Sequence, residues 1–177
     1  MRERARDGFT LIELLIVVAI IGTIAAIAVP GLMRARISGN EASAIGSLRS
    51  INSAEATYAS GCGQGNYAGT LADLGKPPQA GTEGFISADL MTDPSQKAGY
   101  TITMTAGAAA AGGTGCNSPA SLSQTYFVGA APQVANSTGY RCFGTNQGGT
   151  IYQSTATPPA PLAVTQVGAP AGAVPVQ

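Results

Sequence analysis

Hydrophobic positions along the chain fall into three unlike patterns. Residues 9–29 read FTLIELLIVVAIIGTIAAIAV, 21 residues broken by one charge, Glu13, and two threonines. At 1.5 Å per residue, a helix of that length spans about 30 Å, the thickness of a bilayer's hydrocarbon core. The run is apolar on every side instead of along one stripe, so it predicts a membrane helix and not an amphipathic surface helix. The apolar core of a secretory signal peptide is shorter and ends at a small-residue cleavage site, whereas here helical patterning continues. Beyond Pro30 the pattern becomes a stripe. Ile37, Ala44, Ile45, Leu48, Ile51 and Tyr58 recur at three- and four-residue spacings, with Arg36, Asn40, Ser47 and Asn52 largely elsewhere. Glu41 and Glu55 fall on or near that stripe and make it imperfect. Ser60-Gly61-Cys62-Gly63 predicts the stop, with glycine suited to a left-handed cap. From Phe9 to Tyr58 is 50 residues, about 75 Å of rod if unbroken.

The third pattern is a short helix followed by strands. Thr70-Leu-Ala-Asp73 ahead of Gly75 is a minor capping box. Tyr100, Ile102 and Met104 alternate with Thr101, Thr103 and Thr105 as a half-buried strand, and Gln124–Gly129 predicts a second. Tyr140–Phe143 and Gly149–Gln153 read as a hairpin around Thr145-Asn-Gln-Gly148. Three or four antiparallel strands laid over a helix make the fold α+β. Ala106–Gly113 is a small-residue loop, and from about Thr155 the chain carries Pro, Ala, Val and Gly without charge, an extended or flexible tail.

Composition narrows the chemistry. Of 177 residues only 10% are charged, and nine Lys+Arg balance nine Asp+Glu, so no net charge draws in nucleic acid or an anionic surface. The absence of His excludes histidine-based acid–base catalysis and the common His/Cys metal sites, and three Cys are too few for a Cys-only zinc site. Lys76 and Lys97 sit in polar loops with no partner base, no Gly-rich phosphate loop joins a strand to a helix, and basic residues never cluster after Arg36. The residues point to no catalytic site, hence not to an enzyme.

Glu13, Gly22 and Pro30 stand out within the apolar run. An intramembrane carboxylate costs about 2.5–3.5 kcal/mol and calls for a partner, although Glu13 is near enough the run's start to snorkel. Proline deletes a helix hydrogen bond and glycine is a weak helix former, so residues 22–30 are where the helix would kink or melt. Arg2, Arg4 and Arg6 before the span outnumber Arg34 and Arg36 after it, which favours a cytoplasmic N-terminus.

The segment RARDGFTLIELLIVVAIIGTIAAIAVPGLMRARISGNEA closely resembles the N-terminus of type IV pilins and pseudopilins, over about residues 1–58. By that resemblance residues 1–8 are a cleaved leader, and Gly8–Phe9 is the bond cut by the prepilin peptidase, which also N-methylates Phe9. Glu13 matches the glutamate at the fifth mature position, implied to meet the new Phe9 ammonium of a neighbouring subunit and set assembly register. A pairing within one chain competes, since i and i+4 share a helix face. Gly22 and Pro30 match the positions between which the helix melts in assembled fibres. The implied organisation is 1–8 leader, 9–30 transmembrane and assembly helix, 31–60 amphipathic continuation, 61–154 globular head and 155–177 Pro/Ala-rich flexible tail.

An exported head lies in an oxidising compartment, where three cysteines leave one over. Cys62 and Cys116 occupy Gly-flanked loops, while Cys142 lies within a strand pattern. Cys62–Cys116 is the preferred disulfide and Cys116–Cys142 the alternative. No cofactor is expected. The acidic group Glu83, Asp89 and Asp93 raises calcium, which major pseudopilins bind in a comparable region, but its spacing fits no EF-hand and Thr92-Asp93-Pro94 reads as a turn. Asn136-Ser-Thr138 fits a glycosylation sequon.

The resulting expectation is a structural subunit of a type IV pilus-like fibre. It is stored in the inner membrane with its N-terminus cytoplasmic and its head periplasmic. Its partners would be copies of itself, the prepilin peptidase, the assembly platform and the bilayer. The alternatives are a pseudopilin of a type II secretion system, or a minor tip subunit for adhesion or DNA uptake.

Overall fold

The computed structural model describes residues 8–80, 82–111, 113–117, 122–155 and 172–176. The leader up to Asp7, with Arg2, Arg4 and Arg6, lies outside the described residues, as does 156–171 of the tail. By internal contacts the chain divides into one unit ending at Arg36 and another beginning at Ile37.

Helix α1 runs from Leu11 to Gly61, 51 residues with Pro30 inside it. In the first unit every described residue is exposed, including Phe9 at 84% and Ile27 at 82%. Its best 18-residue window has a mean hydropathy of 2.8, long and apolar enough to cross a membrane. Residues 22–30, expected to kink or melt, are helical throughout. Pro30 supplies no N–H to the Ala26 carbonyl one turn earlier, so the ladder is one bond short there.

In the second unit the stripe becomes a buried face. Ile37, Glu41, Ala44, Ser47, Leu48, Ile51, Ala54, Glu55 and Tyr58 are buried, and Ile45 packs half-buried beside them. The expected stop comes at Gly61, but left-handed backbone falls on Gln64 and Gly65, at φ 55° and 86°. Gly63 serves a different purpose: a side chain there would overlap the Asn66 carbonyl and the Tyr58 ring.

The elements that follow are β1 (Tyr67–Ala68), α2 (Leu71–Gly75), a 3-10 turn at Ala88–Leu90, β2 (Ser95–Lys97) and β3 (Tyr100–Ala106). Then come β4 (Leu122–Ser123), β5 (Tyr126–Pro132), β6 (Cys142–Asn146), β7 (Ile151–Ser154) and β8 (Val174–Pro175). The main sheet is antiparallel in the order β2-β3-β5-β6-β7-β8, and β1 pairs separately with β4. Thr70 caps α2 as expected, accepting the Asp73 N–H and donating its hydroxyl to the Asp73 carboxylate.

Tyr100, Ile102 and Met104 of β3 face inward and meet Val128 and Ala130 of β5, Phe143 of β6 and the α1 face in one core. The register places Ile102 opposite Ala130 and Met104 opposite Val128. Several strand boundaries differ from those expected: β5 begins at Tyr126 instead of Gln124, and β7 runs from Ile151 to Ser154 instead of Gly149 to Gln153. β5 runs to Pro132, beyond Gly129, because its ladder with β3 continues to Tyr100. β6 begins at Cys142 instead of Tyr140, because the Tyr140 and Arg141 amides donate to the Glu41 carboxylate and not to a strand. Thr145 and Asn146 belong to β6, and the turn lies after them, with the Gly149 N–H on the Asn146 carbonyl. At the other end of the tail, Val174–Pro175 is no free chain: it pairs with Tyr152 and Gln153 as an edge strand.

Candidate assembly site

Gly8, Phe9 and Thr10 precede α1 and are exposed, so the expected scissile bond stands on accessible backbone. Thr10-Leu-Ile-Glu13 closes a reciprocal capping box. The Thr10 hydroxyl accepts the Glu13 N–H at 3.3 Å, and Glu13 Oε2 accepts the Thr10 N–H at 2.9 Å and the Thr10 hydroxyl at 2.5 Å. The box satisfies orphan amides at a helix start and puts a carboxylate at the positive end of the dipole. In the uncleaved chain Glu13 is thus already engaged. The Thr-x-x-Glu spacing at residues 10–13 is the sequence signal for this box, one that the surrounding apolar run masks.

Nothing in the first unit covers Leu11, Ile12, Leu14, Leu15, Ile16, Val17, Val18, Ile20 and Ile21, all about half exposed or more. Burying such side chains is worth about 1.5–3 kcal/mol each. A surface this size therefore demands lipid or other chains, and it is compatible with membrane anchoring.

Within the second unit two acids of the helix stripe are held differently. Glu41 Oε1 accepts the Tyr140 and Arg141 amides at 2.9 and 3.2 Å, while Oε2 accepts Arg141 Nε and Nη2 at 2.9 and 2.6 Å. Arg141 also donates to Gln153 at 2.7 Å and lies 5.4 Å from the centre of the Phe143 ring. Glu55 is fully buried. Its Oε2 accepts the Ala68 N–H at 3.0 Å, Oε1 has no hydrogen-bond partner among the described residues, and burial pushes the carboxyl up to about 8. Asn52 ties the helix to the sheet, donating to Thr145 Oγ1 at 2.8 Å and accepting the Tyr126 hydroxyl at 3.0 Å.

A disulfide joins Cys62 to Cys116, the preferred pairing, with Cα atoms 4.8 Å apart. Cys142 is free and buried in β6, its thiol pushed up to about 11 by burial. Asn117, next to the bridge, accepts the Tyr58 hydroxyl at 3.0 Å and donates to the Asp73 carbonyl at 2.6 Å. The three acids raised for calcium do not gather into one site. Asp89 pairs with Lys97 at 2.6 Å, Asp93 Oδ1 accepts the Met104 N–H at 3.2 Å, and Glu83 stands on an earlier loop. Among the described residues no three metal-ligating side chains gather. Asn136 of the sequon is exposed with φ 62°, in the turn between β5 and β6.

Residues 4–29 match the family model described as the prokaryotic N-terminal methylation motif. No solved structure matches the chain.

Proposed function

We propose, for a chain that carries the type IV pilin and pseudopilin signature at residues 4–29, that it is a structural subunit of a type IV pilus-like fibre. The prepilin peptidase hydrolyses the Gly8–Phe9 bond on the cytoplasmic side and N-methylates Phe9. The mature chain waits in the inner membrane with its head in the periplasm, and the assembly platform draws it into the fibre. The observation that carries the reading is the apolar length of α1 up to Met33, exposed at every position, directly behind a helix start that begins two residues after the scissile bond.

Cleavage turns the Phe9 amide into an ammonium at the head of an apolar helix. Buried in a bundle, that charge needs a counter-ion, and Glu13 of a neighbouring copy supplies one. A subunit out of register leaves both charges unpaired, so the pair sets register while packing of apolar helices supplies affinity. Helix melting between Gly22 and Pro30 belongs to the assembled state. There the bond already missing before Pro30 lowers its cost.

Mass spectrometry of sheared surface filaments tests the reading. A mature chain starting at N-methyl-Phe9 and abundant in long filaments is expected. Full-length protein retained in the membrane would overturn it. Short periplasmic fibres would favour a secretion-system pseudopilin, and trace amounts at filament tips a minor subunit.

A further inference from the structure

Ten charged side chains lie between Ile37 and the C-terminus, and the fold uses eight of them internally. Asp73–Lys76, Asp89–Lys97 and Glu41–Arg141 are ion pairs, each at 2.6 Å. Glu55 is buried on the Ala68 amide, and Asp93 is bonded to the Met104 amide. Arg49 and Glu83 are left, one of each sign, both exposed and neither hydrogen-bonded nor ion-paired among the described residues. Within this unit one unmatched cation and one unmatched anion are a complementary set; Arg34 and Arg36, likewise exposed and unpaired among the described residues, belong to the first unit.

Their surroundings differ in a matching way. Arg49 projects from the exposed side of α1 among short neighbours, Ala42, Gly46, Ser50 and Ser53, and a side chain added at Gly46 would meet nothing within 4 Å. Glu83 stands on the rim of a cleft of about 650 Å³ whose walls include Thr82, Phe85 and Met91. Phe85 is fixed there by an edge contact with the Tyr58 ring, 5.2 Å between centroids. An acid in a cleft that also offers Phe85 and Met91 suits an arginine, whose methylene stem packs on carbon while its fork meets the carboxylate.

We propose that Arg49 of one copy enters this cleft on the next and pairs with Glu83. The occupant is a second copy because the chain itself carries both halves. Two different surfaces meeting head to tail form a heterologous contact, which leaves each copy with one free half and so propagates. The inference rests on the reading of the chain as a fibre subunit, and adds to it a contact between heads separate from the Phe9–Glu13 register pair.

Charge exchange in the full-length chain tests it, in cells where the wild type makes filaments. Arg49→Glu and Glu83→Arg are each expected to cut sheared-filament yield about tenfold, the scale of roughly 1.4 kcal/mol per contact. The amount of processed subunit in the membrane stays at the wild-type level. The double variant restores the yield, because the reversed pair attracts again. Single variants with normal yield, or a double variant as poor as the singles, overturn the proposal, and the latter result would assign the Arg49 defect to some other partner. R49C and E83C chains, both co-expressed with excess wild type so that they are carried into filaments, give a dimer with a short bis-maleimide if the contact exists, and filaments that contain both variants without a dimer overturn it. A wild type that is never cleaved or never forms filaments refutes the fibre reading instead, and is told apart because no variant is needed to see it.

Discussion

Arg141 closes on Glu41 with Nη2 2.6 Å from Oε2, and the same carboxylate takes the amides of Tyr140 and Arg141. A helix residue thereby decides where a strand a hundred positions later begins. The Glu41 side chain is only 7% exposed while that of Arg141 is 37% exposed, so the two ends of the pair are not equivalent. Removing the acid strands two amides and leaves the guanidinium only its bond to Gln153, whereas removing the base leaves a carboxylate still bonded to two amides.

Glu41→Ala is therefore expected to destabilise the second unit by about 2–4 kcal/mol, and Arg141→Ala by less, about 1–2 kcal/mol. Urea unfolding of the detergent-solubilised chain checks the order. A larger loss from Arg141→Ala would show that the cation–aromatic contact with Phe143 dominates.

Glu55 predicts a pH dependence of stability. Its carboxyl, near 4.5 when free, is pushed up to about 8 by burial. Below about 4.5 it is protonated in both folded and unfolded chains, and pH has no effect through it. Between about 4.5 and 8 the unfolded chain releases a proton that the folded chain keeps, so stability falls as pH rises. Above about 8 both states are ionised and the loss is complete. Thermal unfolding should show Tm dropping from pH 5 to pH 8 by several degrees, and Glu55→Gln, which keeps an acceptor for the Ala68 amide, should flatten the slope. Asp93, also raised by burial, leaves a residual slope of the same sign. An unchanged slope in Glu55→Gln would mean the carboxyl is ionised in the fold.

What could be read from the chain in advance follows physical range. The apolar run, the stripe from Ile37 to Tyr58 and the Tyr100–Met104 alternation are local periodicities, and each became the element expected. The disulfide partners were accessible because Gly-flanked loops bring little that resists closure. The β1–β4 pair and β8 are two residues each, too short for any period to register. Likewise the start of β6 depends on Glu41, and the Asn52–Thr145 bond spans 93 positions, so no local pattern could announce them. At the helix start the Thr10-x-x-Glu13 spacing is a local pattern and the capping box it forms is legible in the sequence, whereas the assembly roles of Phe9 and Glu13 rest on the resemblance alone.

The Cys62–Cys116 bridge joins residues 54 apart. Loop-closure entropy for such a length gives about 4 kcal/mol. Cys62→Ser or Cys116→Ser should lower stability by about that much, and a reductant should do the same to the wild type but not to either variant. Cys142→Ser, which leaves the bridge intact, should keep the wild type's response to reductant. Loss of that response would place Cys142 in thiol exchange with the bridge.

Glu13 serves two possible ends, and one substitution separates them. As a helix cap it needs only an acceptor for the Thr10 N–H, which glutamine also offers. As counter-ion to the Phe9 ammonium of a neighbour it needs charge, which glutamine lacks. Glu13→Gln should therefore insert, lose its leader and gain its N-methyl group normally, yet enter filaments poorly. Thr10→Val breaks the box, leaves the carboxylate, and should cost about 1 kcal/mol of local helix stability with filament yield largely kept. Mass spectrometry of the membrane fraction and of sheared filaments reads both steps separately. Wild-type filament yield from Glu13→Gln would reduce Glu13 to a cap and remove the charge pair from the assembly mechanism.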